Sequence, residues 1–182
     1  MDKQLIQVFG RIGSKSRIRN NLYRYFPKDF NTYVEPFVGG GSVMLGYKFN
    51  LATKIVINDK DKSLISAWRI LKKGATGDIN KYNTTNISTL TKLRDKKGGS
   101  DLDKLVSYII NSRNTYGNTG KGKIYRTMNP ITKLKNLQEY KEKLKTVTIL
   151  NQSYDAVINK YNRQGTFFYL DPPYEKSGDL YK

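Results

Sequence analysis

The stretch TYVEPFVGGGSVML, residues 32–45, joins a β-branched and aromatic run to three consecutive glycines and a second apolar run. We predict a buried strand over residues 32–38, a glycine turn, and a helix over residues 43–49. Glycines permit the backbone conformations of a tight turn and let a ligand approach the main chain closely. Because the Gly-Lys-Ser/Thr ending of a P-loop and the full dinucleotide fingerprint are absent, a purely structural turn is an equal alternative.

Helices and strands are predicted to alternate on both sides of this stretch. Apolar spacing and the position of Pro27 predict a helix over residues 16–26 before it. The other predicted elements are strands at 54–58, 147–150 and 166–170, and helices at 61–73, 102–110, 133–145 and 154–161. Such alternation is typical of an α/β fold with a parallel sheet.

The alternation is interrupted between about Gly74 and Pro130, where Asn, Thr, Gly and Lys are abundant. Within this stretch we expect residues 111–129 to form a polar loop or hairpin. We therefore predict one discontinuous domain, residues 1–73 and 131–182, with residues 74–130 inserted as a separate region.

The composition limits the possible chemistry and partners. Among 182 residues, 33 Lys and Arg stand against 15 acids, which gives a net charge of +18. That charge favours a phosphate-rich partner, although a generally lysine-rich composition is the alternative. The absence of His and Cys excludes disulfides, thiolate nucleophiles, imidazole catalysis and the usual zinc sites, so we expect no metal. With no signal-peptide pattern or long apolar run, we expect a soluble, intracellular protein without a membrane partner.

The strand predicted at residues 166–170 is followed by Asp171-Pro172-Pro173-Tyr174. Two prolines remove backbone donors and end the strand, and ligands of open α/β sheets bind at that end of a strand. A carboxylate and a carbonyl can accept the hydrogens of an amino group on a flat heterocycle, while an aromatic ring stacks on its face. This motif therefore suggests chemistry on a nucleobase amino group. The alternative is a structural strand end.

Two further positions suit a nucleotide ligand. Asp59 follows the second strand, 20 residues after Gly39, where an acid can accept hydrogen bonds from ribose hydroxyls. Alternatively, Asp59 caps the helix that begins near Asp61. Lys15, in Gly13-Ser14-Lys15, is able to reach a carboxylate or a phosphate, and the alternative is a solvated basic surface.

Taken together and in order, these motifs resemble the Dam-type DNA adenine N6-methyltransferases of the alpha-class motif order. The residues that carry the resemblance are 13–15, the helix end at 25–27, 35–42, 58–59, 151–154 and 171–174. The resemblance implies a Rossmann-like methyltransferase fold with an inserted DNA-recognition region at residues 74–130. It also implies S-adenosyl-L-methionine as cofactor, double-stranded DNA as partner, and base flipping of the target adenine.

The resemblance implies a role for each matched residue. Asp171 and the Pro172 carbonyl would hold the target amino group, with Tyr174 stacked on the base. The cofactor-binding residues would be Lys15 at the methionine end, Asp59 at the ribose, Tyr154 near the adenine, Gly39 and Gly41 at the main chain, and Glu35, Phe37 and Asp171 beside them. Arg11 is included because it stands where relatives usually carry an aromatic ring.

The inserted region and the segment after it are expected to contact DNA. Candidate DNA-binding residues are Arg113, Asn114, Tyr116, Asn118, Lys121, Lys123 and Arg126, each of which is as readily explained as part of a solvated polar loop. Family members continue beyond the last motif, so the sheet is expected to be incomplete, with strand order 3-2-1-4. Two alternatives remain open: a catalytically incomplete DNA-binding fragment, and a methyltransferase for RNA or another amino group. The oligomeric state is also open.

Overall fold

The computed structural model describes residue 5 and residues 7–116 and 122–173. Four strands in these residues form one sheet in the order β3-β2-β1-β4, and every pairing is parallel. The strands are β1 (Thr32–Glu35), β2 (Lys54–Asn58), β3 (Thr148–Leu150) and β4 (Thr166–Phe168). The predicted parallel α/β sheet and its strand order are confirmed.

Eight α-helices lie in the described residues: α1 (Arg19–Leu22), α2 (Ser42–Gly46), α3 (Lys62–Lys73), α4 (Ile87–Asp95), α5 (Asp101–Asn114), α6 (Ile131–Leu134), α7 (Leu137–Leu144) and α8 (Tyr154–Tyr161). Short 3-10 helices occupy Tyr23–Tyr25 and Ile79–Tyr82. None of the helices in this described part combines the length and the apolar character needed to cross a membrane.

The chain divides into two compact units. The first comprises residues 1–7, 14–65 and 145–182 and contains the sheet, and the second comprises residues 8–13 and 66–144. Helix α3 begins in the first unit and continues in the second. This division rests on packing and does not test which residues recognise DNA, so the functional boundary at residues 74–130 stays a prediction.

The sheet of the first unit is covered on both faces. On one face, Val34 and Val56 pack with Val157 and Tyr161 of α8. On the other face, Tyr33 packs against the rings of Phe49 and Phe167. All four residues of β1 are buried, as expected for a strand of a parallel sheet with both faces covered.

Two helices of the first unit are shorter than predicted. Helix α2 ends at Gly46 instead of residue 49, and Tyr47 adopts an extended backbone. A Cβ at Gly46 would lie 2.5 Å from the Tyr23 hydroxyl, so a larger residue at this position would displace the Tyr23 side chain. The first helix continues as a 3-10 turn at Tyr23–Tyr25 and ends there, because Phe26 precedes Pro27 and adopts an extended backbone.

The second unit contains a helix that the sequence analysis missed. Helix α4 begins after Asn86, whose side chain accepts a hydrogen bond from the Thr89 N–H. The helix packs against α5, and its Leu90 is buried. Helix α5 is longer than predicted and begins with a capping box of Ser100 and Asp103. The helix predicted at residues 133–145 is divided into α6 and α7.

We expect Gly10→Ala to destabilise the second unit strongly. The Gly10 N–H donates to Ser112 Oγ at 3.2 Å, and an added Cβ would lie 2.1 Å from the Ser112 carbonyl oxygen. Overpacking of this kind costs about 1–3 kcal/mol or more, which urea denaturation measures. Gly98→Ala is the control, since its Cβ would meet nothing within 4 Å and would add only backbone strain. Equal losses in the two variants would contradict the prediction.

Candidate active site

The candidate active site lies at the C-terminal edge of the sheet in the first unit. Because the strands are parallel, Glu35 at the end of β1 and Asn58 at the end of β2 lie at the same edge. Asp171 follows β4, which pairs directly with β1 in the register Val34↔Phe168. The structure therefore places Asp171 beside the strand that leads into the glycine turn.

Asp171 forms an ion pair with Lys15. The Lys15 Nζ donates to both carboxylate oxygens, at 2.7 and 2.6 Å, and the two side chains are only 18% and 25% exposed. The Lys15 carbonyl accepts hydrogen bonds from the N–H groups of Ile18 and Arg19 at the start of α1, which anchors the lysine backbone. Lys15 thus bonds a carboxylate and does not lie on a solvated basic surface.

Glu35 is a buried carboxyl group next to this ion pair. It is 3% exposed, and its Oε2 accepts a hydrogen bond from the Tyr33 hydroxyl at 2.8 Å. Burial raises its pKa from the ordinary 4.5 to about 8, the bonds from Tyr33 and the Met44 N–H oppose the rise, and the charges of Asp171 and Asp59 add to it. Glu35 is therefore largely protonated at neutral pH, in contrast to an exposed glutamate.

The three glycines form a tight turn between β1 and α2. Gly39 and Gly41 have φ angles of 48° and 67°, in the left-handed region that favours glycine. The Gly39 N–H donates to Asp59 Oδ2 at 3.0 Å, so the acid after β2 supports the turn after β1. The prediction that a glycine turn follows the strand is confirmed. Whether a ligand binds there stays a prediction.

The alternative role of Asp59 as a helix cap is wrong. Asp61 caps α3, because its Oδ1 accepts hydrogen bonds from the N–H groups of Ser63 and Leu64. Asp59 is half-buried and accepts from Gly39 and, through Oδ1, from the Asp61 N–H at 3.0 Å. Each carboxylate oxygen has a second lone pair, so hydrogen bonds from further donors are chemically feasible.

An aromatic pair lies at the same edge of the sheet. Phe37, in the loop after β1, and Tyr154, at the start of α8, have ring centroids 5.3 Å apart. Tyr154 is 53% exposed and Phe37 is half-buried, so an aromatic surface is accessible there. Such a surface suits a flat heterocycle.

The predicted DNA-binding residues that the structure describes lie in the second unit in different environments. The Arg113 Nε donates to the Val8 carbonyl, and the fully buried Asn114 donates from Nδ2 to the Met128 carbonyl at 3.0 Å. Both side chains thus make contacts within the protein. Arg11, predicted to bind cofactor, also lies in this unit and donates to the Tyr108 hydroxyl at 2.6 Å.

The exposed candidates that the structure describes lie near an isolated β-bridge. Thr115 pairs with Ile124 in an isolated antiparallel bridge, and the exposed rings of Tyr116 and Tyr125 make an edge-to-face contact. The exposed Lys123 and Arg126 flank Tyr125 in the sequence. Tyr125, which is exposed and precedes Arg126, was not among the predicted DNA-binding residues. Asn118, Lys121 and Tyr174 lie outside the described residues.

Sequence reasoning also left the roles of Asn58 and Tyr33 unassigned. Asn58 is 1% exposed and makes side-chain hydrogen bonds to the loops after β1 and β3. A polar residue at the end of an apolar strand was the available signal, because buried amides require partners. Tyr33 was predicted only as part of the buried strand at residues 32–38. The hydrogen bond of its hydroxyl to Glu35 is formed by the packing of the folded chain and has no signal in the sequence.

The sheet is parallel, with a glycine turn after β1, an acid after β2 and a carboxylate-proline motif after β4. This combination defines a Rossmann-like methyltransferase fold. Residues 12–180 match the family of D12 class N6 adenine-specific DNA methyltransferases, and the chain belongs to that family.

Several curated proteins are similar to this chain at modest identity. The type II methyltransferase M.CviBI of Paramecium bursaria Chlorella virus NC1A is 28% identical, over 90% of this chain and 66% of that protein. M.MjaIII of Methanocaldococcus jannaschii is 26% identical, with coverages of 90% and 67%. M1.LlaDCHI of Lactococcus lactis subsp. cremoris is 25% identical, with coverages of 89% and 63%. The chain thus spans about two thirds of the length of these relatives.

Proposed function

We propose that this chain transfers a methyl group from S-adenosylmethionine to the N6 amino group of adenine in double-stranded DNA. The observation that carries the proposal is the position of Asp171, held by Lys15 directly beside the strand that enters the glycine turn. Family membership and the similarity to type II methyltransferases support the same reaction.

The donor and acceptor groups of the first unit fit this cofactor chemically. Asp59 offers acceptors for ribose hydroxyls, and the ring pair of Phe37 and Tyr154 suits an adenine. The ionised Asp171 carboxylate suits the cationic sulfonium and ammonium groups, and the protonated Glu35 can accept a hydrogen bond from the ammonium through its carbonyl oxygen. Lys15, which pairs with Asp171, also suits the carboxylate of the cofactor. When bound, the cofactor supplies a strongly electrophilic methyl group.

The protein's part in the reaction is to hold and align the target amino group. The adenine nitrogen is a poor nucleophile because its lone pair is delocalised into the ring. The Asp171 carboxylate and the Pro172 carbonyl would accept hydrogen bonds from the two N–H groups of the adenine. These bonds would favour a tetrahedral, nucleophilic nitrogen. The N6 atom lies within the base stack of a duplex, so the base must be extruded, and Tyr174 is proposed to stack on it.

The second unit is proposed to supply most of the attraction to DNA. It contains 18 Lys and Arg residues against six acids, so it carries two thirds of the net charge. Residues 74–130 within it are proposed to recognise the target, with phosphate contacts from exposed side chains such as Lys123 and Arg126. Such binding should weaken steeply with salt.

A transfer assay tests the proposal. Protein, adenine-containing duplex and methyl-labelled S-adenosylmethionine are incubated, and the DNA is digested to nucleosides. We expect label in N6-methyladenine, with no label in a duplex that carries purine instead of adenine, because purine lacks the amino group. Label in RNA or in cytosine would favour another amino group as the target. Salt-sensitive DNA binding without label would favour a catalytically incomplete DNA-binding fragment.

A further inference from the structure

Asn58 connects three loops at the candidate active site. Its Nδ2 donates to the Pro36 carbonyl at 3.0 Å in the loop after β1, and to the Gln152 carbonyl at 3.1 Å in the loop after β3. Its Oδ1 accepts from the Gln152 N–H at 2.9 Å, and its main-chain carbonyl accepts from the Val38 N–H at 2.9 Å. The loop after β2 begins with the next residue, Asp59.

These three loops carry the groups proposed to contact the cofactor. The loop after β1 contains Phe37 and Gly39, the residue after Asn58 is Asp59, and the segment after β3 leads to Tyr154. The ends of these segments are close to the Asn58 bonds, since Pro36 is adjacent to Phe37 and Gln152 is two residues from Tyr154. A displacement at Asn58 therefore moves groups from all three segments.

The strand ladder alone does not fix these loops. The ladder between β1 and β2 ends at the pair Glu35↔Ile57, and the ladder between β2 and β3 ends at Asn58↔Leu150. Beyond those pairs, the links between the loops include the bonds of Asn58, the bond from Gly39 to Asp59, the ring contact between Phe37 and Tyr154, and the bonds from Asn151 Nδ2 to the carbonyls of Asp59 and Lys60 at 2.8 and 3.2 Å.

We propose that Asn58 is a positioning residue for the cofactor site, which sets the relative placement of the glycine turn, Asp59 and Tyr154. This inference rests on the proposed function. A primary amide is required because it supplies two donors and an acceptor on one planar group. A carboxylate of the same shape has no donor and would oppose two carbonyl oxygens, whereas an aliphatic side chain would leave buried polar groups unpaired.

Hydrogen exchange in the cofactor-free protein tests this placement directly. In Asn58→Asp at pH 7.5, we expect the protection factors of the Gln152 and Gly39 amides to fall by roughly tenfold or more. The fall should exceed that of the strand amide of Val56. The Gly39 amide is decisive, because it bonds Asp59 and has no bond to the substituted side chain.

Val157→Ala is the matched control for general destabilisation. Val157 is fully buried in the core of the same unit and has no hydrogen bond to the three loops through its side chain. We expect this variant to lower the protection of the strand amides and the loop amides together. If Asn58→Asp gives the same uniform pattern, Asn58 only stabilises the fold and the proposal is wrong. If Asn58→Asp does not fold, Asn58→Ser is judged by the same criterion.

The pH provides a rescue within one variant. When the carboxyl group of Asn58→Asp is protonated, it regains one donor, so loop protection should recover between pH 8 and pH 5. The recovery is measured relative to the unchanged protein at each pH, because Glu35 titrates over the same range in both proteins. Calorimetry with S-adenosylhomocysteine should show binding weakened roughly tenfold at pH 7.5 and restored in parallel. If ligand binding recovered at low pH while loop protection did not change, the proposal would be wrong. Failure of the unchanged protein to bind this ligand would contradict the proposed function instead, since the exchange pattern is measured without ligand.

Discussion

Asp171→Asn is expected to lower the rate of methyl transfer by about 10²–10³-fold. In the native site, the Lys15 ammonium donates to both carboxylate oxygens of Asp171. In the variant, the amide oxygen must face Lys15, because the NH₂ group would be repelled by the ammonium. The NH₂ group would then point toward the target amino group, and two donors would oppose each other.

The measurement is a single-turnover rate at saturating cofactor and DNA, so that altered binding does not affect it. Asp29→Asn is the matched control, because it makes the same chemical change at an exposed position. Its rate should remain within a factor of two or so of the unchanged protein. A rate for Asp171→Asn within tenfold of the native rate would exclude Asp171 as the required acceptor.

Glu35→Gln is expected to change the pH dependence of stability. The pKa of Glu35 is about 8 in the folded protein and 4.5 ordinarily, mainly because of burial. Between those values the folded state retains a proton that the unfolded state has lost. The contribution of Glu35 is therefore fully present below pH 4.5 and is lost as the pH rises to 8, with a total loss of up to about 5 kcal/mol.

Gln cannot ionise, so it removes this pH dependence. The free energy of unfolding of the unchanged protein, relative to Glu35→Gln, should fall by up to about 1.4 kcal/mol per pH unit from pH 5 to pH 8. Urea denaturation across this pH range measures the difference in unfolding free energy between the two proteins. The test is how this difference changes with pH, and not its value at any one pH. Glu139→Gln, at an exposed position, controls for the loss of one negative charge. Parallel curves for the native protein and Glu35→Gln would show that Glu35 titrates normally.

Several elements could be predicted from the sequence because their signals are local. The apolar spacing of residues 54–58 and 154–161 predicted β2 and α8 with the observed bounds. Helix α4 was missed because it lies in a stretch rich in Asn, Thr, Gly and Lys, and it packs against α5 in the folded chain. Helix α2 was predicted to be too long, because the apolar residues continue to Phe49 in the sequence, whereas the backbone becomes extended at Tyr47.

The candidate site was predicted less completely than the fold. Residue type was sufficient to indicate Asp171 and Asp59 as candidate site residues, because a carboxylate directly after an apolar strand is unusual. It did not indicate that Asp61 and not Asp59 caps α3, because both acids have suitable spacing. Nor did it assign Asn58, whose importance depends on carbonyl groups 22 and 94 positions away.

The sequence by itself determined the order of helices and strands, the glycine turn and the types of side chain at the strand ends. These properties follow from local periodicity and from the backbone preferences of glycine and proline. Only the tertiary structure decided that Lys15 bonds Asp171 across 156 positions and that Glu35 retains a proton near neutral pH. Ion pairing and desolvation depend on distance and on exclusion of water, which the folded chain alone establishes.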